Sequence, residues 1–279
     1  MEALESSILE WKAAVVLAWF ALFFLAERWK PAARERPEPA LTAGERPLGA
    51  WQRVGRNLSL WLANVGLAPL IVIPLTLWAS THALDWRPDW WSGLTGLIID
   101  LIILDCLIYW WHRANHEVQF LWRFHEVHHL DRFLDTSTAL RFHFGEVLLS
   151  AAARAGVILL LGIPFFSVIV FEILVLLCAL FQHSNLKLGA KTEHLLSRVI
   201  ITPSIHWVHH HAIRRDTDSN YGTIFSFWDR IFGSSSKTER WPDMPIGVER
   251  TEERRFLHLL MRPFRGRRGS PAAENRISS

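Results

Sequence analysis

The chain has 279 residues, half of them hydrophobic, with fifteen tryptophans and a formal charge of +3. That length holds one sizeable domain or two small ones, and so modest a charge gives no reason to expect a nucleic-acid partner. The two cysteines, Cys106 and Cys178, sit inside apolar runs; they read as small buried hydrophobes and point away from a disulfide framework or a thiolate metal site.

Taken from the N-terminus, the apolar run 13–26 resembles the core of a signal peptide. However, Glu2, Glu5 and Glu10 stand where basic residues would precede it, and no small-residue cleavage site follows. A retained membrane helix over 8–26 is expected. A spanning helix needs about 20 apolar residues, and 58–80 and 94–111 also qualify. The first of these contains Pro69 and Pro74, which predict a kink. The second carries Asp100 and Asp105, and carboxylates inside a membrane are costly and usually functional. The apolar region 147–186 is interrupted by Gly162 and Pro164, which suggests a helical hairpin. Trp90-Trp91 and Trp110-Trp111 end apolar runs, as rings anchored at a membrane interface do.

Basic residues set the orientation. Segment 28–56 holds Arg28, Lys30, Arg34, Arg36, Arg46, Arg53 and Arg56, whereas loop 81–92 holds only Arg87 beside Asp85 and Asp89. The positive-inside rule then places the first loop, the end of the third span and everything after residue 186 in the cytoplasm. The expected fold class is an all-α, polytopic membrane bundle with a cytoplasmic, histidine-rich di-metal cap. Three regions are expected: N-terminal membrane helices with a basic loop (1–92), a catalytic domain (93–236), and a basic tail (237–279) whose end, 266–279, reads as disordered.

Fourteen histidines are present, and eight form three tight groups. WHRANHE contributes His112 and His116; FHEVHH contributes His125, His128 and His129; HWVHHH contributes His206, His209 and His210, with His211 beside them. Helical periodicity puts each group on one face, within reach of a shared ion. His116 and His125 would lie on opposite faces of one continuous helix, so a break between them is predicted. Packed without metal, so many imidazoles would bury unpartnered nitrogens and repel when charged.

FHEVHH admits two readings. H-E-x-x-H (His125, Glu126, His129) is the zinc pair and base of a metalloprotease; H-x-x-H-H is three imidazole ligands. The later group repeats the histidine spacing with Trp207 in place of the glutamate, so the second reading is preferred and an intramembrane zinc protease is kept as the alternative. Eight to ten imidazoles suit two ions, and imidazole alone does not choose among iron, zinc and copper. Four-carboxylate di-iron bundles need two E-x-x-H motifs, and only Glu126–His129 matches. A metal-binding scaffold or transporter without catalysis is a second rival.

Asp105, Tyr109, His112 and His116 form one stripe at helical spacing. Asp105 could hold a ring N–H of a ligand directly, through water or through Tyr109, or could pair with another helix. Asn185, Asp218 and Asn220 are further candidates for supporting the site, with Glu126, Glu146 and Asp229. Arg141, Arg154 and Glu172 suggest structural ion pairs. His82, His194 and His258 have no motif around them.

Asp105, YWWHR at 109–113, His116, LWRFH at 121–125, His128-His129 and TALRFH at 138–143 resemble the fatty acid hydroxylase/sterol desaturase superfamily. So do QHSN at 182–185, Thr202-Pro203, 206–210, DSNYG at 218–222 and WDRIFG at 228–233. This resemblance runs from about residue 96 to 235 and implies a membrane-bound, O2-dependent di-iron oxygenase that hydroxylates or desaturates a lipid such as a sterol or fatty acyl chain. It implies two iron ions held by His112, His116, His125, His128, His129, His206, His209 and His210. His143, followed by Phe144 where the family commonly has proline, and His183 are further implied ligands; His211 is expected to be exposed or supporting. No Gly-rich dinucleotide motif or haem-carrier domain is seen, so a separate donor, a haem carrier or a ferredoxin with its reductase, is the expected electron source. Lipids of the membrane are the other expected partners.

Overall fold

The computed structural model describes residues 2–34, 49–249, 251 and 255–265, with side chains from residue 11 onward. Arg36 and Arg46, the side chains of Glu2, Glu5 and Glu10, and the 266–279 tail lie outside the described residues.

The described residues form helices without a β-strand beyond isolated bridges. Helix α1 runs Glu2–Trp29. Helices α2 (Ala50–Leu67) and α3 (Ile73–Thr81) are continuous through a π-helical turn, Ala68–Val72. The sequence predicted a kink at Pro69 and Pro74; the wider turn lies there, because each proline removes a donor from the ladder. Helix α4 spans Gly93–Glu117, α6 Phe144–Leu161 and α7 Phe165–His183. The Ala50–Thr81 unit, α4, α6 and α7 are each long and apolar enough to cross a membrane, and α1 carries the further apolar run 13–26.

Helices α6 and α7 form the expected hairpin. Gly162 turns it at φ +65°, and a Cβ there would come within 2.8 Å of Leu84 O, so only glycine fits. Asp100 serves the same end of the bundle. It pairs with Arg87 and accepts from Ser167 Oγ (2.7 Å) and Trp91 Nε1 (3.1 Å). Its buried charge is thus compensated, and its work is to close a loop.

Apolar side chains knit α3, α4, α6 and α7 together around Leu104, Ile158, Val168 and Phe171. Others, such as Leu62, Leu70, Ile98 and Leu160, point outward, the pattern of helices surrounded by lipid. Cys106 and Cys178 are half-buried in this packing. Arg154 pairs with Glu172 at 3.0 Å as expected, and Lys12 joins them at 3.2 Å. A second, polar core lies between α2 and the segment after α5 (Gln119–His129). Buried Arg53 pairs with Asp131 (3.1 Å) and with Asp135, while Asn57 donates to Asp131 (2.8 Å) and accepts from Arg141 (3.1 Å). Arg141 also donates to Val127 O at 2.7 Å. This network pins the end of α5, which carries three of the histidines.

Candidate metal centre

The predicted break falls at Val118, where φ −90° and ψ 112° separate the end of α4 from α5. The chain folds back there, and the His116 and His125 rings come to 4.9 Å. The last turns of α4 supply His112 and His116, α5 supplies His125, His128 and His129, and α7 ends on His183. After α8 (Ala190–Leu196), α9 (Pro203–His209) supplies His206 and His209, with His210 at its C-cap.

These nine histidines assemble into two groups: His112, His116, His125, His129 and His209, and His128, His183, His206 and His210. Within each group the candidate ligand nitrogens all lie within 4.8 Å of one another. Each H-x-x-H-H motif was expected to serve one ion, and the structure corrects this. His125 and His129 enter the first group and His128 the second; His206 and His210 enter the second and His209 the first. Helical geometry explains the split: residues at i and i+4 are about 40° apart around the axis, whereas neighbours at i+3 and i+4 diverge by about 100°.

Hydrogen bonds fix which ring nitrogen faces inward. In the first group, Nδ1 of His112 meets Tyr221 O (2.8 Å), Nδ1 of His209 meets Ser219 O (2.7 Å), and Nδ1 of His125 meets Glu146 Oε1 (2.7 Å). In the second, Nδ1 of His128 meets Arg141 O (3.1 Å) and Nδ1 of His183 meets Ala179 O (2.8 Å). Carbonyl oxygens only accept, so these Nδ1 atoms carry the hydrogen and Nε2 presents a lone pair. The Nε2 atoms of His128 and His183 then face each other at 3.1 Å, and His206 Nε2 lies 2.9 Å from His183 Nε2. Opposed lone pairs at that distance call for a cation between them. Nε2 of His116 and of His209 are buried without any protein partner, and a metal ion satisfies them as well.

Burial favours the neutral form of five of these rings. It pushes His128, His129, His206 and His210 far below the usual imidazole range, neighbouring imidazoles adding to the effect. His209 falls to about 3, burial outweighing the opposing bond to Ser219 O. Neutral imidazole is the form that binds metal. The rings of His129 and His210, one from each group, stack at 4.3 Å.

Other predicted residues stand outside the two groups. His143 belongs to neither, contrary to expectation. It caps α6, its Nδ1 accepting from Gly145 N (2.9 Å) while Nε2 donates to Leu260 O (3.0 Å), which turns the ring away. Asp105 does not reach a ring, nor does it act through Tyr109. It accepts from Ile224 N and Phe225 N (both 3.1 Å) and from Trp228 Nε1 (2.8 Å). Tyr109 bonds Ser234 Oγ at 2.7 Å, and Asp229 accepts from Tyr221 N (2.7 Å) and Gly222 N (2.9 Å). Together they fold the 220–229 loop that offers Tyr221 O to His112. Asn220 adopts φ 53° there, a conformation asparagine tolerates, and its side chain reaches Ile205 O (3.3 Å) and Ser236 N (2.9 Å). Asn185 exchanges bonds with the Ala33 backbone (2.8 and 2.9 Å), tying α1 to the end of α7.

Asp218 does face the site, its Oδ1 lying 3.4 Å from His116 Nδ1. His211 is buried rather than exposed, and bonds Asp216 at 2.8 Å. His82, His194 and His258 take no part in either group. Glu126, the base of the protease reading, accepts from Arg262 Nε at 2.8 Å, and nothing supports that reading. Sequence reasoning missed the backbone acceptors at Tyr221, Ser219, Arg141 and Ala179, because a carbonyl leaves no residue-type signal. It also missed Arg214, which donates to Asp218 (2.6 Å) and to His116 O (2.8 Å).

Residues 97–234 match the family model described as fatty acid hydroxylase. The chain belongs to the fatty acid hydroxylase/sterol desaturase superfamily. All nine grouped histidines fall inside the matched fatty acid hydroxylase segment. The chain is 29% identical over 185 residues to the ornithine lipid hydroxylase OlsE of Rhizobium tropici, covering 66% of this chain and 55% of that one. It is 33% identical over 214 residues to an alkylglycerol monooxygenase of Danio rerio, covering 74% and 44%. A cholesterol 25-hydroxylase-like protein of Danio rerio is 27% identical over 191 residues, covering 66% and 73%. The chain spans about half the length of the first two of these hydroxylase relatives. No solved structure matches it.

Proposed function

We propose that this protein is a membrane-bound, O2-dependent oxygenase that hydroxylates a C–H bond of a membrane lipid, with an iron ion in each histidine group. The observation that carries the proposal is the pair of adjacent all-imidazole cages at the C-terminal ends of two apolar spans, α4 and α7. The relatives named for ornithine lipid, alkylglycerol and cholesterol substrates support a lipid and favour hydroxylation over desaturation. When bound, iron supplies the reductive activation of O2 that an unactivated C–H bond requires.

The chain's own residues bind, orient and protect. His112, His116, His125, His129 and His209 would hold one ion, and His128, His183, His206 and His210 the other. Tyr221 O, Ser219 O, Glu146 and Asp218 hold the outward Nδ1 of His112, His209, His125 and His116 in the first set, fixing the orientation of those rings. Arg141 O and Ala179 O do so for His128 and His183 in the second. Burial of both cages excludes bulk water from the reacting region. The apolar spans admit a lipid laterally, so the reacting carbon need not leave the bilayer. Electrons come from a separate haem carrier or a ferredoxin with its reductase, and the positive-inside pattern of the loops supports a cytoplasmic side for the cages. We assign membrane helices and a basic loop to 1–92, catalysis to 93–236 and a basic tail to 237–279.

The test is comparative lipid mass spectrometry of membranes with and without the protein under 18O2, with metal analysis of the purified chain. One lipid gaining one labelled oxygen and two irons per chain are expected. An unchanged lipidome refutes the reaction, and a single ion per chain refutes the paired centre.

A further inference from the structure

Outside the histidine cages, one juxtaposition of charge has no explanation in the proposed reaction. The chain leaving α1 pairs with the chain leaving α7 through an antiparallel bridge, Pro31 to Leu186. Lys187 N donates to Lys30 O at 3.0 Å and Ala32 N to Asn185 O at 2.8 Å. This register sets Lys30 directly opposite Lys187, so both side chains leave the same face. Like charges directly opposite one another are destabilising, and neither lysine has an acidic partner among the described residues. Both border a cavity of about 260 Å³ that Pro31, Leu188 and Gly189 complete. The neighbouring Arg28 is already taken by Glu27 at 2.8 Å, so the opposed lysines, unlike Arg28, are left without a compensating charge among the described residues.

We propose that Lys30 and Lys187 bind the phosphate of an anionic phospholipid headgroup. A lysine pair acts on phosphate as two point charges and demands no fork geometry, which suits an open cavity. The surroundings favour a lipid over a free anion. Trp29, 83% exposed, stands beside Lys30, whose Nζ lies 5.9 Å from its ring. Leu25 and Leu22 continue an exposed apolar strip down α1 from that point. A headgroup at the lysines would leave its acyl chains against that strip, with the indole at the interface. The site rests on the membrane placement of α1 and not on the oxygenase reaction, so the two stand or fall separately.

The full chain is reconstituted in nanodiscs of phosphatidylcholine with or without phosphatidylglycerol, transferred to detergent, and its retained phospholipid counted by native mass spectrometry. The wild type is expected to keep phosphatidylglycerol in preference to phosphatidylcholine. The Lys30→Gln/Lys187→Gln double variant should lose about thirtyfold in retention, from the typical contribution of two basic residues at an anionic surface. Lys30→Arg/Lys187→Arg should keep the lipid, and Lys237→Gln, an exposed lysine elsewhere, should match the wild type. Zinc binding by the histidine cages reports that each variant is folded; a glutamine pair that fails this check is replaced by Lys187→Gln alone, for which a loss of about fivefold is expected. Equal retention of the two phospholipids, or unchanged retention in a folded glutamine variant, overturns the proposal. Displacement of the lipid by inorganic phosphate at low concentration also overturns it, reassigning the lysines to a free anion.

Discussion

Replacing Asp105 with alanine separates two accounts of how α4 supports His112. If the carboxylate held a ring N–H, Asp105→Ala would weaken metal binding and leave the rest of the fold alone. In the structure it receives three buried donors, Ile224 N, Phe225 N and Trp228 Nε1. Alanine removes both acceptor oxygens. All three donors then lose their acceptor. Orphaning a buried donor costs about 1–3 kcal/mol, so the three cost about 3–9 kcal/mol, a large part of the 5–15 kcal/mol typical of a folded domain. The 220–229 loop then loosens, Tyr221 O leaves His112 Nδ1, and metal at the first group should weaken by about 10–100-fold while the second group holds. Trp228→Phe removes one of the same bonds. In a double-mutant cycle read by thermal unfolding in nanodiscs, the two losses should therefore fall short of additivity by about 1 kcal/mol or more. Strict additivity, together with unchanged zinc binding at both groups, would refute the loop-clamp account.

His143→Ala should leave two metal ions per chain and lower stability by about 1 kcal/mol, the usual loss of a helix cap, whereas His183→Ala should lose the metal of the second group; elemental analysis separates the two. Glu126→Gln should retain metal and lipid oxidation, since the amide oxygen can still accept from Arg262 Nε, and abolished activity would revive the protease reading. The metal-free protein should lose stability on acidification. His209 has its folded pKa lowered to about 3, against about 6.5 in an unfolded chain. Its stability contribution is complete above pH 6.5 and falls by up to about 1.4 kcal/mol per pH unit between 6.5 and 3. His128, His129, His206 and His210, which burial also holds below the usual imidazole range, add to that slope. Chemical denaturation across this range, after chelation, reads the effect, and a flat profile would contradict neutral, buried rings.

Helices and the histidine groups were legible in the sequence because both have a periodic or compositional signature. Apolar length marks a span, a Gly/Pro interruption marks the 162–164 turn, and repeated histidines mark a metal. The opposite-face argument for His116 and His125 required a break between them, and the structure places it at Val118. What was not legible depends on where a side chain's second partner lies. Asp105 shares a helical stripe with His112, yet its acceptors are used by a loop about 120 positions onward, and no spacing rule reaches that far. His143 sits in a family motif, but Gly145 N is closer to its ring than any cage. Asp100 looked functional by its cost alone; Arg87 and Ser167 offset that cost, and burial of charge marks a partner as often as a reaction.

The division of each H-x-x-H-H motif between two cages gives the pair of sites a mechanical unity that separate motifs would lack. Helix α5 carries His125 and His129 into one group and His128 into the other; α9 and its cap do the reverse with His209 against His206 and His210. Rotating either helix to improve one cage would move its ligands in the other, since both sets are fixed to the same backbone. The polar core supplies the resistance to that rotation. Arg141 holds Val127 O with its Nε and His128 Nδ1 with its carbonyl, while Asn57 ties Arg141 to α2. Arg53 and Asn57 anchor Asp131, two residues beyond His129. The distance between the cages is therefore set by helices and a buried ion-pair network rather than by loops, the arrangement that holds ligand geometry most closely. Any ions held in these cages would share that fixed separation.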